Sequence, residues 1–273
     1  MYKFYGDIMV SIFDKDEVKM NCDEFFTLYL DTEEKIRVMC ERKFIHTQEV
    51  AKNSVYLAKK LNLDEYDVDL AFIIGYLHDF ARFSQALLTQ SFVDSDKYNH
   101  AYLGAKLLFQ HNMIEDIIEN YDNIPTEDKT VMEKAIYYHG DLTLPKNLTN
   151  REKIFCEIIR EADKVDIFRA IVTTGYEKMY GATKEEIAKS DISEEIEAAF
   201  YKRATADYKK RKTKADFLLA HQALYFGLTM KAGKEKVIKD GYLKQLMDIT
   251  FVNPKQQQKY LKMQKCLKAE FPN

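Results

Sequence analysis

Glycine and proline are scarce: nine Gly and four Pro occur among 273 residues, well below the usual shares of about 7% and 5%. A chain so poor in turn formers favours long helices. Tryptophan is absent, and Cys22, Cys40, Cys156 and Cys266 show no CxxC spacing. That excludes a zinc ribbon or disulfide framework and fits a reducing, cytoplasmic setting. No apolar run reaches the roughly 18–20 residues of a membrane helix; residues 71–77 form about the longest, so no membrane association is expected. Asp7 and Asp14 stand where a secretory leader needs an unbroken apolar stretch. Neither sign of charge dominates, since 41 Lys and Arg against 44 Asp and Glu leave −3. That balance argues against a dedicated nucleic-acid binder. Missing too are GxxxxGK followed by Ser or Thr, GxGxxG and GxSxG, so P-loop, dinucleotide-binding and serine-hydrolase chemistries have no anchor.

What is present reads as helix almost throughout, in a globular chain of ordinary hydrophobic content. Asp31-Thr32-Glu33-Glu34 has the form of an N-cap with an acidic first turn, leading into Ile36, Val38 and Met39. Apolar spacing predicts further helices over residues 45–61, 68–77, 98–112, 127–139 (stopped by Gly140) and 150–166. The stretch 68–77 is apolar nearly all round, the mark of a buried central helix. Gly175 and Gly181 flank a break, and helices over 193–210, 214–231 and 234–249 are expected beyond it. Residues 1–13 alternate weakly, as a short strand or an ordered arm, with no hairpin signal read. The expected organisation is an arm over 1–31, a core over 32–175 and a C-terminal helical extension over 176–273 that packs on the core. The fold class is all-α.

Six histidines are few enough to take singly. His78 precedes Asp79 and follows Ala71, Ile74 and Gly75 on the face of the most apolar helix. Burying an imidazole beside a carboxylate there is costly unless they are paired or bound to a cation. His139 follows Met132, Ala135 and Ile136; His100 shares a face with Leu103, Gly104 and Leu107; His46 lies one turn before Val50; Asp163 follows Cys156 and Ile159. One histidine on an apolar face is ordinarily a satisfied core residue. Four with two aspartates in one core point to a metal centre. Imidazole and carboxylate without thiolate suit Mn, Fe, Ni, Co or Zn, and six ligands exceed what one tetrahedral ion uses. His111 lies about 16 Å along the helix from His100 at ~1.5 Å per residue, too far to share an ion. His221 reads as a core or interface residue, the KKRK run at 209–212 as a solvated helix end, and the Tyr and Phe richness as core.

The order H…HD…H…H…D, as His46, His78-Asp79, His100, His139 and Asp163, resembles the HD-domain superfamily of metal-dependent phosphohydrolases. The blocks RKFIHTQEVA (42–51), IIGYLHDFARFSQ (73–85), NHAYLGAKLL (99–108), AIYYHG (135–140) and IIREADKVDIF (158–168) carry the likeness. It covers about residues 32–170. The resemblance implies an all-α HD-domain bundle with additional C-terminal helices. It implies one ion on His46, His78, Asp79 and Asp163, and a second on His100 and His139, with Asp79 bridging. Two divalent transition-metal ions are therefore expected, with Mg as a further candidate.

The resemblance further implies hydrolysis of a nucleotide or other small phosphate ester by water activated between the ions. Position 82 carries Glu or Lys in some related enzymes; here it is Arg82, which stays protonated and cannot act as a base. Arg82 is expected instead to clamp the anion and stabilise its charge, with Lys43 and Lys164 helping to bind substrate. The GYP block of cyclic-dinucleotide enzymes is absent, which removes that substrate. Two rival readings share the ligand pattern: a di-iron oxygenase of the HD type, and a non-catalytic nucleotide sensor. The C-terminal helices are expected either to cap the site or to form a homo-oligomer interface.

Overall fold

The computed structural model describes residues 2–5, 8–11, 14–95 and 97–272. Two short antiparallel strands, β1 (Tyr2–Tyr5) and β2 (Ile8–Ser11), pair with Tyr2 opposite Ser11. They form a hairpin where the sequence reading saw a single strand or an arm. All other regular structure among the described residues is helical, and the fold is all-α. No described helix is long and apolar enough to cross a membrane. The chain divides into two compact units, Met1–Asp163 and Lys164–Asn273.

The first unit holds α1 (Lys15–Thr27), α2 (Glu34–Lys60), α3 (Glu65–Leu77), α4 (Phe80–Thr89), α5 (His100–Ala105) and α6 (Thr126–Tyr138). It also takes the N-terminal part of α7 (Asn150–Thr174), within which the division between units falls. The cap expected at Asp31 does not form. Instead α2 starts at Glu34 without a side-chain cap bond and runs unbroken through 27 residues, joining two expected helices. Asp64 caps α3 by accepting from Asp67 N, and Asn99 caps α5 by accepting from Tyr102 N. α5 is shorter than expected because its last turn widens into a π-helical segment, Lys106–Gln110.

α2 and α3 lie unusually close, and Gly75 is the reason. A Cβ there would sit 2.7 Å from Ala51 Cα and 2.8 Å from Ser54 Oγ, so only glycine permits this approach of backbones. Val50, Leu57, Leu70, Ile73, Ile74 and Leu77 are buried at or near the contact. α1 packs on α4 through aromatic stacking: the Phe26 and Phe83 ring centres lie 4.0 Å apart at 8°, and those of Phe25 and Phe80 4.6 Å apart at 15°. Ring pairs add to their area burial.

The second unit carries α8 (Tyr176–Tyr180), α9 (Lys184–Lys189), α10 (Glu194–Tyr201), α11 (Lys214–Ala223), α12 (Lys231–Asp240), α13 (Tyr242–Met247) and α14 (Pro254–Lys268). Phe168, Phe200, Leu218, Leu219, Tyr225, Tyr260 and Met263 form its core. Its helices are shorter than periodicity suggests. α10 ends at Tyr201, two residues before Arg203, whose φ of 51° is left-handed, and Gly241 at φ 76° separates α12 from α13. Gly233, read as a break, stays inside α12.

Candidate metal centre

The six candidate ligands come from α2, the break between α3 and α4, α5, α6 and α7. His46 lies in the middle of α2, not at a helix start as expected. His78 and Asp79 occupy the break between α3 and α4: His78 caps α3, and Asp79, at φ −100° and ψ 22°, begins α4. His100 opens α5 and His139 caps α6. Asp163 sits on α7. His46, His78, Asp79, His100 and His139 are all buried.

These side chains converge on Asp79. Its Oδ2 lies 3.3 Å from His78 Nε2 and 3.7 Å from His46 Nε2. Its Oδ1 lies 3.4 Å from His100 Nε2 and 3.8 Å from His139 Nε2. Asp163 Oδ1 joins the first set, 3.1 Å from His46 Nε2. Two groups with cation-holding geometry result, His46–His78–Asp79 and Asp79–His100–His139. The carboxylate shared between them divides its oxygens, one to each.

The imidazole tautomers follow from their outer partners. His78 Nδ1 bonds Gly75 O at 2.8 Å and His139 Nδ1 bonds Ile136 O at 2.6 Å. A carbonyl can only accept, so both Nδ1 atoms donate. His100 Nδ1 bonds Asp94 Oδ2 at 2.7 Å. Asp94 is lifted by burial, but the hydrogen bond from His100 and the charge of Arg82 outweigh that and bring its pKa down to about 2. It is therefore an acceptor as well. All three Nε2 atoms turn lone pairs inward, and those of His100 and His139 face each other across 2.9 Å. His78 Nε2 is buried with no hydrogen-bond partner. Lone pairs aimed at one another and at a carboxylate are repulsive unless a cation lies among them.

The charge states agree. Burial pushes His78 down and His100 down to about 4, keeping both rings neutral near pH 7. Burial alone would raise Asp79, but Lys43 and the flanking histidines hold it well below the usual carboxylate range. Asp163 is likewise held low by its bond to His46, against the effect of burial. Neutral imidazoles and ionised carboxylates are the forms that bind metal. With nitrogen and oxygen donors and no thiolate, the residues fit divalent ions of the Mn, Fe, Co, Ni or Zn kind.

Of the expected substrate residues, Lys43 makes an ion pair with Asp79 Oδ2 and lies 5.5 Å from the Phe92 ring centre. Arg82 is in the first turn of α4, not on a continuation of α3. Its Nη1 donates to Gln85 Oε1 (2.6 Å), Phe92 O (2.7 Å) and Asp94 Oδ1 (3.0 Å). Its Nη2 lies 3.3 Å from His100 Nε2 and its Nε 3.5 Å from Asp79 Oδ1. Lys164 follows Asp163 on α7 and belongs to the second unit, where a Cβ at Gly227 would lie 3.4 Å from its Cε. His111 is exposed beyond the π-helical turn. His221 stays in the second unit, bonded through Nδ1 to Phe217 O and Tyr180 OH.

Sequence reasoning missed Asp94 and Gln85. Gln85 closes the HD block quoted above, three residues after Arg82, a helical neighbour spacing that could have paired them. Asp94 lies in the irregular stretch before His100, where no periodicity marks it.

Residues 44–171 match the family model of the HD domain. The match spans all six converging residues and marks residues 44–171 as an HD domain. The HD domain is the mark of a superfamily of metal-dependent hydrolases. No curated protein and no solved structure matches the chain.

Proposed function

We propose that the protein is a phosphohydrolase acting on a nucleotide or another small phosphate ester, with two divalent ions at the HD centre. The observation that carries this reading is the division of Asp79, one oxygen toward His46 and His78 and the other toward His100 and His139. A carboxylate so placed suits a bridge between two ions. On this reading His46, His78, Asp79 and Asp163 hold one ion, and Asp79, His100 and His139 hold the other. Ions bound there would lower the pKa of water and polarise a phosphoryl oxygen.

The protein's own residues supply the rest. His78, His100 and His139 keep their Nδ1 protons on fixed acceptors, so their Nε2 atoms stay directed inward. Lys43 and Arg82 place two positive charges beside Asp79, where they favour an anionic substrate. Arg82 retains Nε and Nη2 on the side of the centre while Nη1 is engaged with Gln85, Phe92 and Asp94. A guanidinium held at one end, with its other end turned to Asp79 and His100, suits orientation of a phosphoryl group better than proton transfer.

The test is a panel of nucleotides and phosphate monoesters assayed for phosphate release with Mn, Co, Ni, Mg and Fe. Metal-dependent release, abolished by a chelator, is the expected result. Oxygen consumption by the iron form without phosphate release from any ester would overturn the hydrolase reading in favour of oxygenase chemistry.

A further inference from the structure

The three outer hydrogen bonds of the inward-facing histidines are not alike. His78 and His139 each use the carbonyl three residues back in their own helix, Gly75 O and Ile136 O. His100 opens α5, so no preceding helical turn offers it a carbonyl. Asp94 takes that place from outside the helix. Its Oδ2 accepts from His100 Nδ1 at 2.7 Å. Its Oδ1 accepts from Arg82 Nη1 at 3.0 Å, from Gln85 Nε2 at 3.2 Å and from the His100 backbone N at 3.4 Å. The carboxylate is thus itself held by two side chains of α4 while it holds the ring.

We propose that Asp94 is a positioning residue for one ion of the pair, the one taken by His100, His139 and Asp79. This inference rests on the two-ion reading above. A carboxylate behind an imidazole fixes the tautomer, orients the ring and makes the inner nitrogen a stronger donor. A backbone carbonyl does the first two with less charge. The contacts of Asp94 run to His100, Arg82 and Gln85, and the ring it holds faces Asp79 Oδ1, the oxygen turned away from His46 and His78. Occupancy of the two positions is therefore governed separately, with Asp94 setting how firmly the second ion is held.

The experiment uses the full chain, stripped with a chelator and titrated with Mn2+ by calorimetry. Ions are counted after dialysis, and electron paramagnetic resonance reports spin coupling between neighbouring Mn ions. Wild type is expected to take two ions with a coupled signal. Asp94→Ala is expected to keep the first at wild-type affinity and hold the second roughly 10–100-fold more weakly, with the spectrum of an isolated ion. Asp94→Asn keeps an acceptor for His100 Nδ1 but loses the charge. It should recover part of the second affinity, and it serves as the test if Asp94→Ala does not fold. Two ions at wild-type affinity in these variants, or equal weakening of both ions, would overturn the role of Asp94. Wild type binding fewer than two ions would instead overturn the two-ion reading on which it rests.

Discussion

His100 and His139 face each other through Nε2 atoms 2.9 Å apart, each with its proton committed to the opposite side of the ring. Two helices thus end on the same point from different directions, and neither imidazole can donate to the other. Asp79 Oδ1 closes the third side of this arrangement, and its Oδ2 faces His46 and His78.

If Asp79 joins the two positions, Asp79→Ala should lose both ions, while His100→Ala should keep the one on His46, His78 and Asp163. His78→Ala should show the reverse preference. Elemental analysis of dialysed protein reads this directly. Identical losses in all three variants would mean that the ligands do not divide as the distances suggest.

Lys43 is the counter-charge of Asp79 when no ion is bound. Lys43→Met should destabilise the chelated protein by up to about 3 kcal/mol, since it leaves a buried carboxylate with Arg82 alone as its counter-charge. Added Mn2+ should restore most of that stability, because ions then replace the ammonium. Thermal unfolding with and without metal checks this; a deficit of equal size in both conditions would contradict it.

Arg82→Ala is expected to lower kcat/KM on a phosphate ester by roughly 10²–10³, the scale for losing one charge-stabilising donor. Arg82→Lys should recover only part, since a point charge cannot reach Gln85, Phe92 O and Asp94 while also facing the centre. Amide exchange over residues 91–99 should quicken in both variants. Unchanged kinetics in Arg82→Ala would remove Arg82 from substrate binding.

Gly75→Ala gains about 1 kcal/mol in helix preference, but it forces a methyl against Ala51 Cα, which is backbone and cannot swing aside. Overpacking of this kind costs about 1–3 kcal/mol, so a net loss of stability is expected. A denaturation midpoint at or above wild type would show that α2 and α3 separate more easily than their contact implies.

The pH dependence of the metal-free protein follows from its buried neutral rings. His100 and His221 are pushed down to about 4 from 6.5, and His78 is also lowered, in each case mainly by burial. Their contribution to stability is full above 6.5 and is lost as pH falls toward 4. The melting temperature of chelated protein should therefore decline through this window, and His100→Gln should flatten part of the decline. A melting temperature that rises on acidification would reverse the assignment.

The four histidines and Asp163 were legible because they share helical spacing with apolar residues, where a polar side chain is anomalous, and Asp79 because it adjoins His78. Their meeting point was legible only as a resemblance, since it depends on breaks that the sequence does not mark. The helix expected over 68–77 ends where α3 does, but the turn at His78 and Asp79 contains neither Gly nor Pro, so nothing marks the restart as α4 at Phe80. Asp31 failed as a cap because α2 starts at Glu34, with Glu33 in the cap position and no side-chain cap bond. Asp94 escaped because irregular chain carries no period against which one carboxylate stands out.

Gly75 has two partners at once. Its missing side chain admits α2, and its carbonyl oxygen receives the proton of His78 Nδ1. The tightest seam in the first unit and the aim of one inward-facing ring therefore share a single residue. A mutation that widens the seam would therefore also move the acceptor that orients His78. On the two-ion reading, repacking Ala51 or Ser54 for stability would act on the metal centre as well as on the helix contact.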